Sequence, residues 1–157
     1  MNTRRAALVR AGSALAAALL APSLQAQPAG LPRAVSLQAE LARALAARKA
    51  LVVMVSLEGC PYCKLVRESY LLPLRAQGLP VVQVDMAVQL PLVDAKGSAS
   101  THAQVVRALG VRVAPTVLFL GLGGVEPAPP LVGVGSVVFY GAYLAERVLA
   151  ANRSVAG

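Results

Sequence analysis

The sequence has no tryptophan, two phenylalanines, one histidine and only seven acidic residues against fifteen basic ones. Each shortage narrows what the chain can do. Aromatics make up 4% of the residues, and the basic side chains from Arg33 to Arg153 are scattered, forming no basic cluster interleaved with aromatics. Nucleic-acid binding has no patch to rest on. Asp85 and Asp94 stand without a carboxylate partner at a useful spacing, so paired acid–base chemistry finds no machinery. A closed structural zinc site takes four ligands, whereas the chain offers two cysteines and His102. His102 falls in a predicted helix and reads as a surface residue. The longest uncharged apolar stretch near the N-terminus, Ala11 to Ala21, is well short of the roughly 18–20 residues a spanning helix needs.

That stretch follows Arg4, Arg5 and Arg10 and leads into Pro22-Ser23-Leu24-Gln25-Ala26. Basic, apolar and small-residue regions in this order are the pattern of a secretory signal peptide, and cleavage is expected after Ala26. Thr3-Arg4-Arg5 also resembles a twin-arginine signal, but Ala7 stands where such signals carry a larger apolar residue. The expectation is a periplasmic or otherwise exported protein. The formal net charge of +8 falls to about +5 once the three leader arginines are gone. The boundaries read as 1–26 signal peptide, 27–35 flexible lead-in and 36–157 one folded domain.

Within that domain, Ser36 can cap a helix over 37–48. Residues 51–57 form a short apolar run rich in β-branched side chains, suited to a central strand buried on both faces. A helix is predicted over 64–71, ended or kinked by Pro73. Strands follow at 81–86, 116–120 and 131–134, with 87–100 a loop, a helix opened by Ser100 or Thr101 and running to Leu109, and a glycine- and proline-rich hairpin loop at 121–130. Ser136 caps a last helix reaching Asn152, with Phe139, Tyr140, Tyr143, Leu144, Val148 and Leu149 at core-like spacing. The order α-β-α-β-α-β-β-α implies an α/β fold with crossovers and a closing hairpin.

A domain of this length can build its core without a disulfide, and a bridge between Cys60 and Cys63 would close only a tiny ring. Such a ring adds little to stability in the chain-entropy account, so chemistry is the better reason for the pair. Cys60-Pro61-Tyr62-Cys63 falls where the central strand ends and a helix begins. Free amides and the helix dipole there favour a thiolate at Cys60. Pro61 suits the first helical turn, which needs no N–H. Cys63, one turn on, can resolve a mixed disulfide by attacking the Cys60 sulfur.

A strand, Gly59-Cys60-Pro61-Tyr62-Cys63-Lys64, a helix, and a distant Val113-Ala114-Pro115-Thr116 leading into a strand resemble the thioredoxin-fold superfamily, and in particular its exported thiol–disulfide oxidoreductases. The resemblance spans most of residues 36–151. It implies a thioredoxin-like fold, a mixed central sheet flanked by helices, with a redox-active Cys60–Cys63 disulfide and Pro115 as a cis-proline beside it. Pro61, Tyr62, Ala114 and Thr116 would then border the substrate groove. The implied partners are protein thiols or disulfides and a redox partner protein, membrane-bound or soluble; no cofactor or metal is implied.

The departures from the pattern are specific. Thioredoxin proper has Trp before the motif and Gly-Pro inside it; here Gly59 and Pro61-Tyr62 stand there, the latter a glutaredoxin-like dipeptide. Where thioredoxin keeps a buried acid six residues before the first cysteine, this chain has Met54. The direction of electron flow stays open on these residues. Two other readings compete with exchange: a copper or zinc carrier using both thiolates, and a redox-inactive binding module on the same fold.

Overall fold

The computed structural model describes residues 30–157; the expected signal peptide, residues 1–26, lies outside them. Four strands form a mixed sheet, in the order Val81–Asp85, Leu51–Ser56, Thr116–Leu120 and Leu131–Val132 across it. β1 (Leu51–Ser56) runs parallel to β2 (Val81–Asp85) and antiparallel to β5 (Thr116–Leu120), which pairs antiparallel with β6 (Leu131–Val132). Val53 sits between Val82 and Leu118 in this register.

All six residues of β1 are buried. Successive side chains point to opposite faces of a strand, so one strand feeds two cores. Val52 and Met54 join Cys63, Val66, Phe119 and Leu144 on one face. Leu51, Val53 and Val55 join Leu37, Leu41 and Val105 on the other. The first face is covered by the helix that begins with α2 (Pro61–Val66) and by α5 (Val137–Ala156). The second is covered by α1 (Leu37–Ala46) and α4 (His102–Ala108). The expected α/β architecture is therefore the observed one, and the central strand is buried on both sides because both sides carry helices.

Helix starts follow the side chains available. Ser36 Oγ accepts the Ala39 amide at 3.1 Å, and Thr101 Oγ1 accepts that of Gln104 at 3.3 Å. Ser136 occupies the cap position of α5 but makes no capping bond with its side chain.

Pro73 neither ends nor visibly breaks the second helix. A π-helical turn, Arg67–Leu71, precedes α3 (Leu72–Ala76), which carries Pro73 in its first turn. A widened turn accommodates a residue without an amide hydrogen where a regular helix would lose a bond. Residues 87–100, expected to be a loop, contain most of a small hairpin of β3 (Pro91–Val93) and β4 (Ala99–Thr101). Its strands are three residues long, too short to leave a period-2 signal.

The expected flexible lead-in is tied down from Leu31 on. Leu31 and Ala34 are buried, and Arg33 makes a parallel bridge to Gln83 on the edge of β2. α5 presents Tyr140, Leu144 and Ala151 to the core, while Phe139, Tyr143 and Leu149 are exposed. Six apolar positions were compatible with burial by spacing, but the sheet covers only a narrow stripe of the helix. Among the described residues no helix is long and apolar enough to cross a membrane.

Candidate active site

Gly59 takes φ +72 immediately before the cysteine pair, a left-handed conformation that favours glycine. This turn, closed by a Cys60 N–H to Leu57 carbonyl bond of 3.3 Å, delivers the chain from β1 into α2. Cys60 is the N-cap residue and Pro61 stands in the first turn. The Cys60 Sγ accepts the amide of Cys63 at 3.1 Å, and the two cysteines are joined in a disulfide. They differ in access: Cys63 is fully buried in the core formed with Met54 and Val66, whereas Cys60 is partly exposed. Tyr62 is 57% exposed beside them.

The second segment arrives from the start of β5. The Ala114–Pro115 peptide is cis. The carbonyl oxygen of Ala114 lies 3.9 Å from Cys60 Sγ. Pro115 is buried, and its carbonyl accepts the Gly133 amide at 2.7 Å. Thr116 is also buried; its hydroxyl donates to the Val113 carbonyl at 2.7 Å and so holds the shape of the Ala114–Pro115 turn. The fold thus brings Ala114 to within contact distance of Cys60 Sγ although 54 positions separate them in sequence.

A polar chain that no local sequence pattern announces runs along one flank of this site. Arg67 donates from Nε to Gln83 Oε1 at 2.9 Å and from Nη2 to Ser56 Oγ at 2.8 Å. Gln83 Nε2 donates to Asp85 Oδ1 at 2.7 Å, and Asp85 Oδ2 accepts from Arg33. With Cys60 and Lys64, these residues border an open cavity of about 810 Å³ that neither Ala114 nor Pro115 lines. Arg67 was legible in principle, being seven residues from Cys60 and hence on the same helix face. Arg33 was not, since nothing local links it to Asp85.

His102 is not the surface residue expected. It is 1% exposed, and its Nδ1 accepts the Asp85 amide at 3.1 Å. Burial lowers its pKa, the Asp85 carboxylate pulling the other way. It does not border the cavity beside Cys60, and among the described residues no group of three or more His, Cys, Asp or Glu is placed to hold a metal.

A CxxC pair at a helix start, set on a β2-β1-β5-β6 mixed sheet opposite a cis-proline turn, is the architecture of the thioredoxin fold, and this chain has that fold. Two solved structures match it at a TM-score of 0.50. Thioredoxin O2 from Arabidopsis thaliana in the oxidized state is 20% identical over 73% of this chain and 93% of its own. Thioredoxin NaTrxh from Nicotiana alata is 19% identical over 79% of this chain and 96% of its own. The periplasmic thioredoxin SoxS from Paracoccus pantotrophus, reduced form, matches at 23% identity and a TM-score of 0.43, over 66% of this chain and 99% of its own. No protein-family model matches the sequence, and no curated protein matches it either.

Proposed function

We propose that this protein is an exported thiol–disulfide oxidoreductase acting on protein substrates through Cys60 and Cys63. The observation that carries the reading is the unequal access of two bonded sulfurs, Cys60 partly exposed at a helix N-cap and Cys63 fully buried one turn behind it. An exchange catalyst needs one sulfur that meets substrate and one that does not.

In the reducing direction the Cys60 thiolate attacks one sulfur of a substrate disulfide, and the other substrate sulfur leaves as a thiolate. The Cys63 thiolate then attacks Cys60 Sγ. The second substrate sulfur departs, and the Cys60–Cys63 disulfide remains. Two electrons pass from the protein dithiol to the substrate. In reverse, the protein disulfide oxidises a substrate dithiol by the same steps. The Cys63 amide that meets Cys60 Sγ in the disulfide is positioned to stabilise the thiolate of the reduced form. Ala114 and Pro115 border the place where substrate backbone would lie. A separate redox protein, membrane-bound or soluble, would restore the pair after each cycle.

Export is part of the proposal and rests on the leader sequence. A mature N-terminus at Gln27, read by mass spectrometry on protein recovered outside the cytoplasm, would support it; an intact Met1 there would remove it. For the chemistry, Cys60→Ser should abolish disulfide exchange with a model protein substrate, and retained exchange in that variant would end this reading.

A further inference from the structure

Cys60, Lys64 and Arg67 stand at spacings of four and three along one helix face, and all three border the cavity. The charges around it are not equally satisfied. Asp85 is occupied on both oxygens, by Gln83 and by Arg33. Glu58 and Glu68 are exposed. Arg67 is half-buried, and its two hydrogen bonds go to a neutral amide oxygen and a neutral hydroxyl. A guanidinium has five N–H donors, so most of the fork is unused. Among the described residues the ion pairs are Arg33–Asp85, Arg43–Glu40 and Arg147–Glu146, and Arg67 belongs to none of them.

A half-buried guanidinium held rigid by two neutral acceptors, with free donors beside a cavity, is built to receive a carboxylate. We propose that Arg67 binds a substrate carboxylate, and that the preferred substrates are peptide or protein disulfides with an acidic residue close to the reactive cysteine. Seven residues of helix separate Cys60 from Arg67 by about 10 Å along the axis. An extended peptide advances about 3.3 Å per residue, so an Asp or Glu roughly two to four residues from the cysteine reaches the guanidinium. Lys64, one turn nearer Cys60, adds a second, exposed positive charge along the path. The inference rests on the oxidoreductase reading and names the substrate class of that site. It leaves the sulfur chemistry unchanged.

The test uses the reduced full-length protein and two synthetic peptide disulfides, identical except for Glu or Gln about three residues from the cysteine. Second-order exchange rates are read for each. The wild type should favour the Glu peptide by roughly tenfold at low salt, about the worth of one charge-assisted hydrogen bond, and high salt should shrink the preference. Arg67→Met should bring the Glu-to-Gln ratio close to one, and Arg67→Lys should keep part of it. A wild-type ratio near one, or a ratio that survives Arg67→Met, would overturn the inference and leave the oxidoreductase reading standing. The wild-type ratio decides the matter even where a variant fails to fold. No exchange with either peptide would overturn both.

Discussion

The backbone N–H of Asp85 donates to Nδ1 of His102 across 3.1 Å, with both residues buried. The bond joins the end of β2 to the first turn of α4, and it requires an imidazole with Nδ1 unprotonated. Burial, the largest influence, holds the pKa of His102 below its ordinary 6.5. Asp85 opposes that shift, Arg33 assists it, and a hydrogen bond with the Ala34 backbone opposes it. The unfolded chain therefore takes up a proton at a higher pH than the folded one. The stability tied to neutral His102 is complete above the unfolded value and is lost as pH falls through it towards the lower folded value. Urea denaturation should show the wild type weakening from pH 7.5 to pH 5. His102→Gln should cost about 1–2 kcal/mol at neutral pH and show a shallower decline. Parallel declines in the two proteins would contradict this assignment.

Tyr140 has a buried hydroxyl with no hydrogen-bond partner among the described residues, while its ring packs on Tyr70 at a centroid distance of 5.1 Å. Burial pushes the phenol pKa upward, the neighbouring Tyr70 adding to the effect. Tyr140→Phe keeps the packing and removes an unsatisfied polar group, so thermal stability should hold or rise by about 1 kcal/mol. Tyr140→Ala should lose about 3–5 kcal/mol, the cost of emptying an aromatic site in a core. A marked loss in the Phe variant would mean that the hydroxyl has a partner such as an ordered water.

Asn152 fastens the far end of α5 to the sheet. Its Oδ1 accepts the amide of Ala50, immediately before β1, at 2.9 Å. Asn152→Ala leaves that N–H unpaired beside a buried strand and should cost about 1–3 kcal/mol. Amide exchange at Ala50 should speed up in the variant relative to the rest of β1. Unchanged exchange there would show that the bond does not hold the amide.

What was legible in the sequence was what repeats locally. The run from Leu51 to Leu57 announced a buried central strand, and β1, which takes up all of it but Leu57, feeds two cores. Ser36 announced one helix start and Ser100 or Thr101 another; Ser36 and Thr101 make the capping bonds. Cys60 at a strand–helix junction was readable from its local context, whereas Pro115 was picked out by the resemblance to the thioredoxin fold. The illegible parts depend on partners distant in sequence. His102 resembles a helical surface histidine until β2 brings Asp85 against it. Arg33 belongs to a proline- and glycine-containing lead-in until its contacts with Gln83 and Asp85 fix it on the sheet edge. Pro73 signalled a break, but a π-helical turn absorbs it. At α5 the spacing marked six core positions, whereas the width of the sheet decides which are covered.

The central claim is the division of roles between an accessible sulfur and a buried one. It is tested most directly by mapping the adduct formed when reduced Cys63→Ala meets a protein disulfide, with Cys60→Ala as its reciprocal. The account predicts a stable mixed disulfide on Cys60 in the first variant. It predicts little or none on Cys63 in the second, because that sulfur is fully buried. No adduct on Cys60, or equal adducts on the two cysteines, would contradict it.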